Sequence, residues 1–139
     1  MRNRTATALL SAASALCLCA CASSQRAPFN PVIESGAHHP PPFITAELSE
    51  SRTSARVTLE FPHPGWNYIL DAHRAADATN EVFFTIYRPD PRADYPQVIK
   101  TVTETIILDD RPTLTIYARH IEHDLRDLDV PYRLAATAR

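Results

Sequence analysis

The sequence Ala55-Arg-Val-Thr-Leu-Glu-Phe61 alternates apolar and polar side chains without interruption. The apolar set is Ala55, Val57, Leu59 and Phe61, and the polar set is Arg56, Thr58 and Glu60. Because successive side chains of a β-strand point to opposite faces, the stretch predicts a strand with one face buried and the other in water. The same period identifies further strands on either side.

Similar apolar and polar runs recur six more times, at residues 44–48, 66–73, 81–88, 98–108, 114–120 and 128–134. Turn-forming residues separate most of them, at 50–54, 62–65, 75–80, 89–96 and 109–112. Helical spacing occurs only at Ile121, Leu125 and Leu128, which predict one short turn. Seven short strands in about a hundred residues are typical of an antiparallel β-sandwich of immunoglobulin-like type. We predict that fold for residues 43–139.

The N-terminus has the features of an export signal. Arg2 and Arg4 precede an apolar stretch at residues 9–18 that is too short to span a bilayer. All three cysteines of the chain follow closely, at positions 17, 19 and 21. These residues resemble a bacterial lipoprotein signal peptide, whose lipobox ends in the cysteine that receives lipid. The resemblance implies a signal peptide at 1–20 and lipid, such as diacylglyceryl and palmitate, on Cys21; no other cofactor is expected.

The residue after the modified cysteine bears on the destination of such a lipoprotein. In the family's sorting rule an Asp at this position retains the protein in the inner membrane, and here the position is Ala22. The resemblance therefore implies an outer-membrane lipoprotein that faces the periplasm, with the inner membrane or the cell surface as alternatives. An ordinary secretory signal and an uncleaved hydrophobic anchor are the other interpretations of the segment.

Residues 21–42 contain five prolines, at 28, 31, 40, 41 and 42, and little apolar periodicity. Proline favours an extended backbone, so we predict a flexible linker between the lipidated residue and the domain. Residues 29–33 are the part that would instead lie against the domain, because they include Phe29, Val32 and Ile33.

Charge and composition exclude several classes of function. Of the 14 Lys and Arg residues, Arg2 and Arg4 lie in the signal, so residues 21–139 carry 12 basic and 16 acidic side chains, a formal charge of −4. This charge argues against nucleic acid as a partner. The glycines at 36 and 65 are the only two in the chain, which excludes phosphate-cradling glycine loops and the Gly-x-Ser-x-Gly elbow. We therefore predict that the protein is not an enzyme.

The strand predicted at 81–88 is apolar on both faces. Val82, Phe84 and Ile86 form one face, and Phe83 and Tyr87 form the other. Only one face of a sandwich strand enters the core, so the second face indicates an exposed patch that binds an envelope protein. We place Tyr117 in this patch; the 88–96 loop, with Arg88 and Arg92, is the other candidate surface for the partner. The alternative is that the linker, the loop or the C-terminal turn covers the aromatic rings.

The predicted domain loosely resembles small immunoglobulin-like domains of uncharacterised bacterial lipoproteins and envelope accessory proteins. The residues that carry the resemblance are Pro64 to Trp66, the strand 82–87 running into Arg-Pro-Asp-Pro at 88–91, and Pro131 to Leu134. The resemblance implies binding of other proteins in the envelope, with no catalytic residues.

Histidines provide a second hypothesis, a periplasmic protein that binds a metal or a small ligand. His120 and His123 lie close in sequence, with His63 or His73 as partners at long range, and imidazole suits zinc and copper. On a strand, residues 120 and 123 point to opposite faces, so this site requires a turn between them.

Overall fold

The computed structural model describes residues 28–111, 113–122 and 129–139. Within these residues the chain forms eight strands in two sheets, so the all-β prediction is confirmed. The strands are β1 (Ile33–Ala37), β2 (Phe43–Leu48), β3 (Ser54–Phe61), β4 (Asn67–Ala76), β5 (Thr79–Tyr87), β6 (Lys100–Ile107), β7 (Thr113–Ile121) and β8 (Tyr132–Ala138). In this described part of the chain, no helix has the length and apolar character needed to cross a membrane.

The smaller sheet has three antiparallel strands in the order β2-β3-β6. Its central strand is the stretch that alternates most regularly in the sequence. The apolar residues of β3 are all buried, as predicted: Ala55, Val57, Leu59 and Phe61. Its outer face is polar and continues onto β6 through Thr101, Thr103 and Thr105.

The larger sheet has five strands in the order β1-β8-β7-β5-β4, and it is mixed. Strands β5 and β7 run parallel, with Thr79 opposite Thr113 and Tyr87 opposite Ile121. The prediction of a wholly antiparallel sandwich is therefore wrong. After β5 the chain crosses to the other sheet, forms β6 and returns from the far end as β7, and such a crossover makes the two flanking strands parallel.

The strand count was also wrong, because an eighth strand lies in the segment assigned to the linker. Strand β1 pairs in parallel with β8, with Ile33 opposite Tyr132 and Ala37 opposite Leu134. The alternative placement of residues 29–33 against the domain agrees with the structure. The predicted last strand, 128–134, corresponds to β8, which begins at Tyr132; Leu125 and Leu128 lie outside the described residues.

The hydrophobic core lies between the two sheets. Side chains of the parallel pair point into it from the larger sheet: Val82, Phe84 and Ile86 from β5, and Leu114, Ile116 and Ala118 from β7. The single tryptophan, Trp66, is buried and belongs to this core. Burial of each valine, leucine, isoleucine and phenylalanine side chain in this core stabilises the fold by about 1.5–3 kcal/mol.

One end of the sandwich is formed by three loops rich in proline, and we call it the proline-rich end. The loops are 38–42, 62–66 and 88–99. Strands β3, β5 and β7 end there and β2, β4 and β6 begin there, as their pairing registers require. The Arg88 amide donates to the Ile121 carbonyl at 2.9 Å, which carries the β5–β7 pairing into this end.

Candidate functional site

The loops of the proline-rich end are held together by close ring contacts. Tyr95 stacks on His63 with ring centroids 4.9 Å apart. The same tyrosine lies so close to Gly65 that a Cβ on this glycine would come within 2.5 Å of its ring. The Lys100 ammonium donates to the Trp66 carbonyl at 2.7 Å. The 62–66 and 88–99 loops therefore form one surface, and Gly65 is needed for their close approach.

An apolar groove of about 500 Å³ opens on this surface. It is lined by Pro40, Pro41, Phe43, Glu60, Phe61, Pro62 and Ile99. Phe43 is 62% exposed and Ile99 is 70% exposed, and Val98 beside it is exposed as well. Large apolar side chains that cluster in water-filled concave surfaces are typical of binding sites.

A second cavity of about 420 Å³ lies beside the groove, and we call it the Trp66–His120 pocket. Its lining is His39, Pro40, Pro41, Trp66, Arg88, Pro89, Pro91, His120 and Glu122. The His120 ring lies 4.7 Å from the ring of His38 and 6.1 Å from that of Trp66. At the rim, Arg88 Nη1 bonds Glu122 Oε1 at 3.0 Å, so these two charges neutralise each other.

Two nitrogens of this pocket have no hydrogen-bond partner. They are Trp66 Nε1 and His120 Nε2, and no other buried side-chain nitrogen or oxygen of the described residues lacks one. The indole nitrogen only donates, whereas Nε2 of a neutral imidazole donates or accepts according to the tautomer. Both atoms are shielded from water.

Burial, together with the neighbouring His38 and Arg88, lowers the pKa of His120 to about 4. Burial also lowers the pKa of His38. The other charged or titratable groups around His120 are His39 on the 38–42 loop and Glu122 after β7. His120 is therefore neutral at pH 7, and its acceptor lone pair is retained.

The low pKa of His120 makes stability depend on pH. The unfolded chain binds a proton at His120 below pH 6.5 and the folded chain only below about 4, so this stabilisation is present above pH 6.5 and is lost as the pH falls towards 4. The full shift corresponds to about 3 kcal/mol, and partial solvent contact reduces it to about 2 kcal/mol. Urea unfolding at pH 7.5 and 4.5 measures the loss. His120→Phe, which retains a ring, should lose less stability over this range; an identical loss in both proteins would contradict this assignment.

The aromatic residues predicted to form an exposed patch lie elsewhere, on the outer face of the larger sheet. Phe83 is 0% exposed, so its assignment to an exposed patch is wrong. Phe29, from the segment assigned to the linker, lies over it with ring centroids 5.1 Å apart. Tyr117 stacks beside Phe83 at 5.1 Å and Tyr132 meets it edge-on at 5.2 Å. The alternative interpretation, that the linker covers these rings, therefore explains why both faces of β5 are apolar.

A buried polar network lies next to these rings. A β-bulge in β4 between Leu70 and Ala72 brings Asp71 to the outer face of the sheet, where its Oδ2 accepts from Thr85 Oγ1 at 2.5 Å and from the Tyr132 hydroxyl at 3.0 Å. Arg119 Nε donates to Thr85 Oγ1 at 2.8 Å. Burial raises the pKa of Tyr132 to about 12, so its hydroxyl remains a donor. These contacts fasten β4, β5, β7 and β8 to one another.

The structure thus separates the predicted site residues into two groups. Arg88 and His120 line one pocket at the proline-rich end, and Tyr87 borders the same end with Arg92 exposed in its loop. Phe83 and Tyr117 belong to the covered outer face, whereas Cys21 and His123 lie outside the described residues.

The histidines proposed as metal ligands do not gather in the described part of the chain. His63 stacks on Tyr95, and His73 Nε2 lies 3.2 Å from Asn80 Oδ1. Among residues 28–111, 113–122 and 129–139, no three His, Cys, Asp or Glu side chains form a group that would hold a metal ion.

Sequence reasoning missed Phe43, Ile99 and Trp66 as site residues. Their signal is positional: an aromatic or β-branched residue directly next to a proline or turn at the end of a strand. No protein-family model, curated protein or solved structure matches the chain. The groove and the Trp66–His120 pocket together form the candidate functional site.

Proposed function

We propose that the protein is a non-catalytic binding module of the cell envelope, anchored by lipid on Cys21, that engages another envelope protein through the proline-rich end of an immunoglobulin-like sandwich. The observation that carries the binding role is the apolar groove, in which Phe43 and Ile99 remain in contact with water although the core accommodates every large apolar residue of β3. Protein interfaces have such an apolar centre with polar side chains and Arg at the border.

The groove is suited to binding because its shape is set before a partner arrives. Prolines at 40, 41 and 62 line it, and their fixed backbone angles leave little freedom to lose on association. Arg88 and Arg92 stand in the adjacent loop as polar border residues. The aromatic side chain of Phe43 supplies the kind of anchor that dominates binding energies.

Membrane attachment rests on the resemblance of residues 2–21 to a lipoprotein signal, and Ala22 supports the outer membrane, on its periplasmic face, as the destination. Because Phe29 is held against the outer face of the larger sheet, only seven residues lie between this docked point and Cys21. Fully extended, the eight steps from Cys21 to Phe29 span at most about 29 Å. The partner is therefore a membrane protein or a protein that lies close to the membrane surface.

Replacing Ile99 with Ser should reduce crosslinking of the membrane-bound protein to its partner roughly tenfold or more, since burying an isoleucine stabilises a contact by about 1.5–3 kcal/mol. Phe43→Ser should act in the same direction. The matched control is Ile107→Ser: both isoleucines are 70% exposed, but Ile107 lies at the opposite end of β6.

The measurement is crosslinking in intact membranes, followed by quantification of the crosslinked band for each variant. Cys21→Ser should release the chain into the soluble fraction, which separates loss of the anchor from loss of the groove. Equal capture by Ile99→Ser and Ile107→Ser would show that the groove is not the contact surface.

A further inference from the structure

Strand β6 forms an unprotected edge of the smaller sheet. In the described part of the chain it is the last strand of that sheet, and its 8 residues keep an uninterrupted register with β3. Natural sheets usually protect an edge with a bulge, a proline, a charge or a covering element. The other edge strands of the described sheets follow this rule, since β1 and β4 carry register shifts and β2 lies against β8. Strand β6 therefore offers a site for a further strand.

The backbone of β6 presents a regular row of hydrogen-bonding groups at this edge. The Leu108 amide donates to the Thr53 carbonyl at 2.9 Å, which continues the β3–β6 register by one residue. Residues of an antiparallel strand direct their N–H and C=O alternately to one side and to the other. The even-numbered residues of β6 therefore bond to β3, and the odd-numbered residues direct their N–H and C=O to the open edge.

The side chains of the odd-numbered residues form an uncharged row on the outer face of the sheet. Thr101, Thr103 and Thr105 are exposed. Ile99, directly before β6, and Ile107, at its end, are each 70% exposed. The row is symmetrical about Thr103, with a threonine and then an isoleucine on either side. A row with this symmetry is complementary to itself in the antiparallel direction.

One register of self-pairing uses this symmetry fully. With Thr103 opposite Thr103 of a second copy, every threonine of the row lies opposite a threonine, and Ile99 lies opposite Ile107 at both ends. Cross-strand pairs of this kind stabilise a sheet. The groove lies on the other side of Ile99, where Phe43 and Glu60 belong to β2 and β3, so pairing at the open edge leaves it accessible.

Other registers of self-pairing fit less well. A shift by one residue would place outward side chains opposite inward ones. A register centred on Glu104 would set two carboxylates directly opposite each other. A register centred on Val102 would leave Ile107 without an apolar neighbour. It would bring Lys100 opposite Glu104, but both of these side chains already have hydrogen-bond partners in their own chain.

The position of the N-terminal segment allows two copies on one membrane to pair in this way. The twofold axis of an antiparallel strand pair is perpendicular to the sheet, so the two larger sheets would lie on the same side of the joined smaller sheets. Phe29 lies on the outer face of the larger sheet, so both N-terminal segments leave from that side. Lipid on Cys21 of each copy can then enter one membrane, and confinement there raises the effective concentration of the two strands.

We propose that β6 pairs with β6 of a second copy, antiparallel and centred on Thr103, and that the protein acts as a symmetrical dimer with one continuous outer sheet. The attachment of both copies to one membrane rests on the proposed function, whereas the strand pairing rests on β6 alone. Each groove is lined by residues of a single copy, so the dimer carries two equal binding sites for the envelope partner.

Cysteine substitution in the purified full-length chain, held in detergent micelles, tests the pairing. Thr103→Cys should form a disulfide-linked dimer under mild oxidation, because paired residues of antiparallel strands lie within the Cα distance that a disulfide spans. The matched control is Thr45→Cys, since Thr45 is exposed in the same row across the sheet but lies on the opposite edge strand. We expect Thr103→Cys to crosslink at least tenfold faster. The unsubstituted chain measures any linkage through its N-terminal cysteines.

Further variants test the register and the need for an uncharged edge. Thr101→Cys and Thr105→Cys should crosslink when they are combined in one chain but not singly, because each residue lies opposite the other in the second copy. Adding Thr103→Lys should slow this crosslinking at least tenfold, since two ammonium groups would face each other. Adding Thr45→Lys should leave it unchanged. Thermal unfolding followed by circular dichroism checks that each variant keeps the fold.

Equal crosslinking of Thr103→Cys and Thr45→Cys would overturn the proposal, as would linkage of Thr101→Cys alone at the rate of the combined variant. In intact membranes, linkage of Thr103→Cys to a different protein would assign the edge to that protein and overturn the second copy as its occupant. The purified chain contains no envelope partner, so failure in micelles leaves the groove test unaffected. Ile107→Ser, the control of that test, should slow the Thr103→Cys crosslinking without changing partner capture.

Discussion

Phe83→Ser is expected to reduce the free energy of unfolding by about 4 kcal/mol, because removal of a fully buried phenylalanine ring costs about 3–5 kcal/mol. The ring has no exposed surface, and three other rings surround it, those of Phe29, Tyr117 and Tyr132. The guanidinium of Arg74 lies 5.1 Å from its centroid on the adjacent strand. The serine would leave a cavity on the outer face and bury a hydroxyl in it.

Urea unfolding followed by circular dichroism measures the loss, which for a domain of this size lowers the melting temperature by about 15 °C or more. The control is Ile69→Ser on the neighbouring strand, where the side chain is 50% exposed and the expected loss is below about 1 kcal/mol. Unchanged stability of the Phe83→Ser protein would contradict the burial of Phe83 and would support the exposed binding patch predicted from the sequence.

The contrast between β3 and β5 shows how far the sequence predicts the fold. Alternation in β3 depends only on which face meets the core, so the burial of Val57 and Leu59 could be predicted from local spacing. In β5 both faces are apolar, and the exposed patch predicted from this was wrong for Phe83, whereas the alternative, covering by the linker, agrees with the structure. The covering residue, Phe29, lies 54 residues earlier in the chain, and no local pattern relates the two.

Strand order was out of reach for the same reason. Periodicity identifies strands but carries no information on which strands pair, so the parallel pair β5–β7 was not predicted. This pairing brings Arg88 and His120 to one pocket. Arg88 directly follows β5 and His120 lies at the end of β7, and the two strands run in the same direction. The individual residues were visible in the sequence as candidates, whereas their convergence with Trp66 depended on topology.

Asp71 could have been recognised from the sequence, because a carboxylate interrupts the apolar run at residues 68–72 of a predicted strand. Such an interruption in a sheet is a signal for a bulge or for a buried polar contact. Both are present: the register shifts at this residue, and its Oδ2 accepts two hydrogen bonds from buried side chains, those of Thr85 and Tyr132.

Asp71→Ala is accordingly expected to destabilise the fold by about 3 kcal/mol, since each hydrogen bond to a charged acceptor contributes about 1.5–3 kcal/mol and buried donors would lose their acceptor. Asp71→Asn keeps one acceptor oxygen and should lose about half as much.

The two variants are compared by urea unfolding at pH 7.5, together with Thr85→Val and the double variant. Because Thr85 Oγ1 donates directly to Asp71 Oδ2, the Asp71 and Thr85 effects should be non-additive by about 1 kcal/mol. Additive effects would mean that Asp71 and Thr85 stabilise the outer face separately, whereas coupling would show that the two side chains belong to one hydrogen-bonded network.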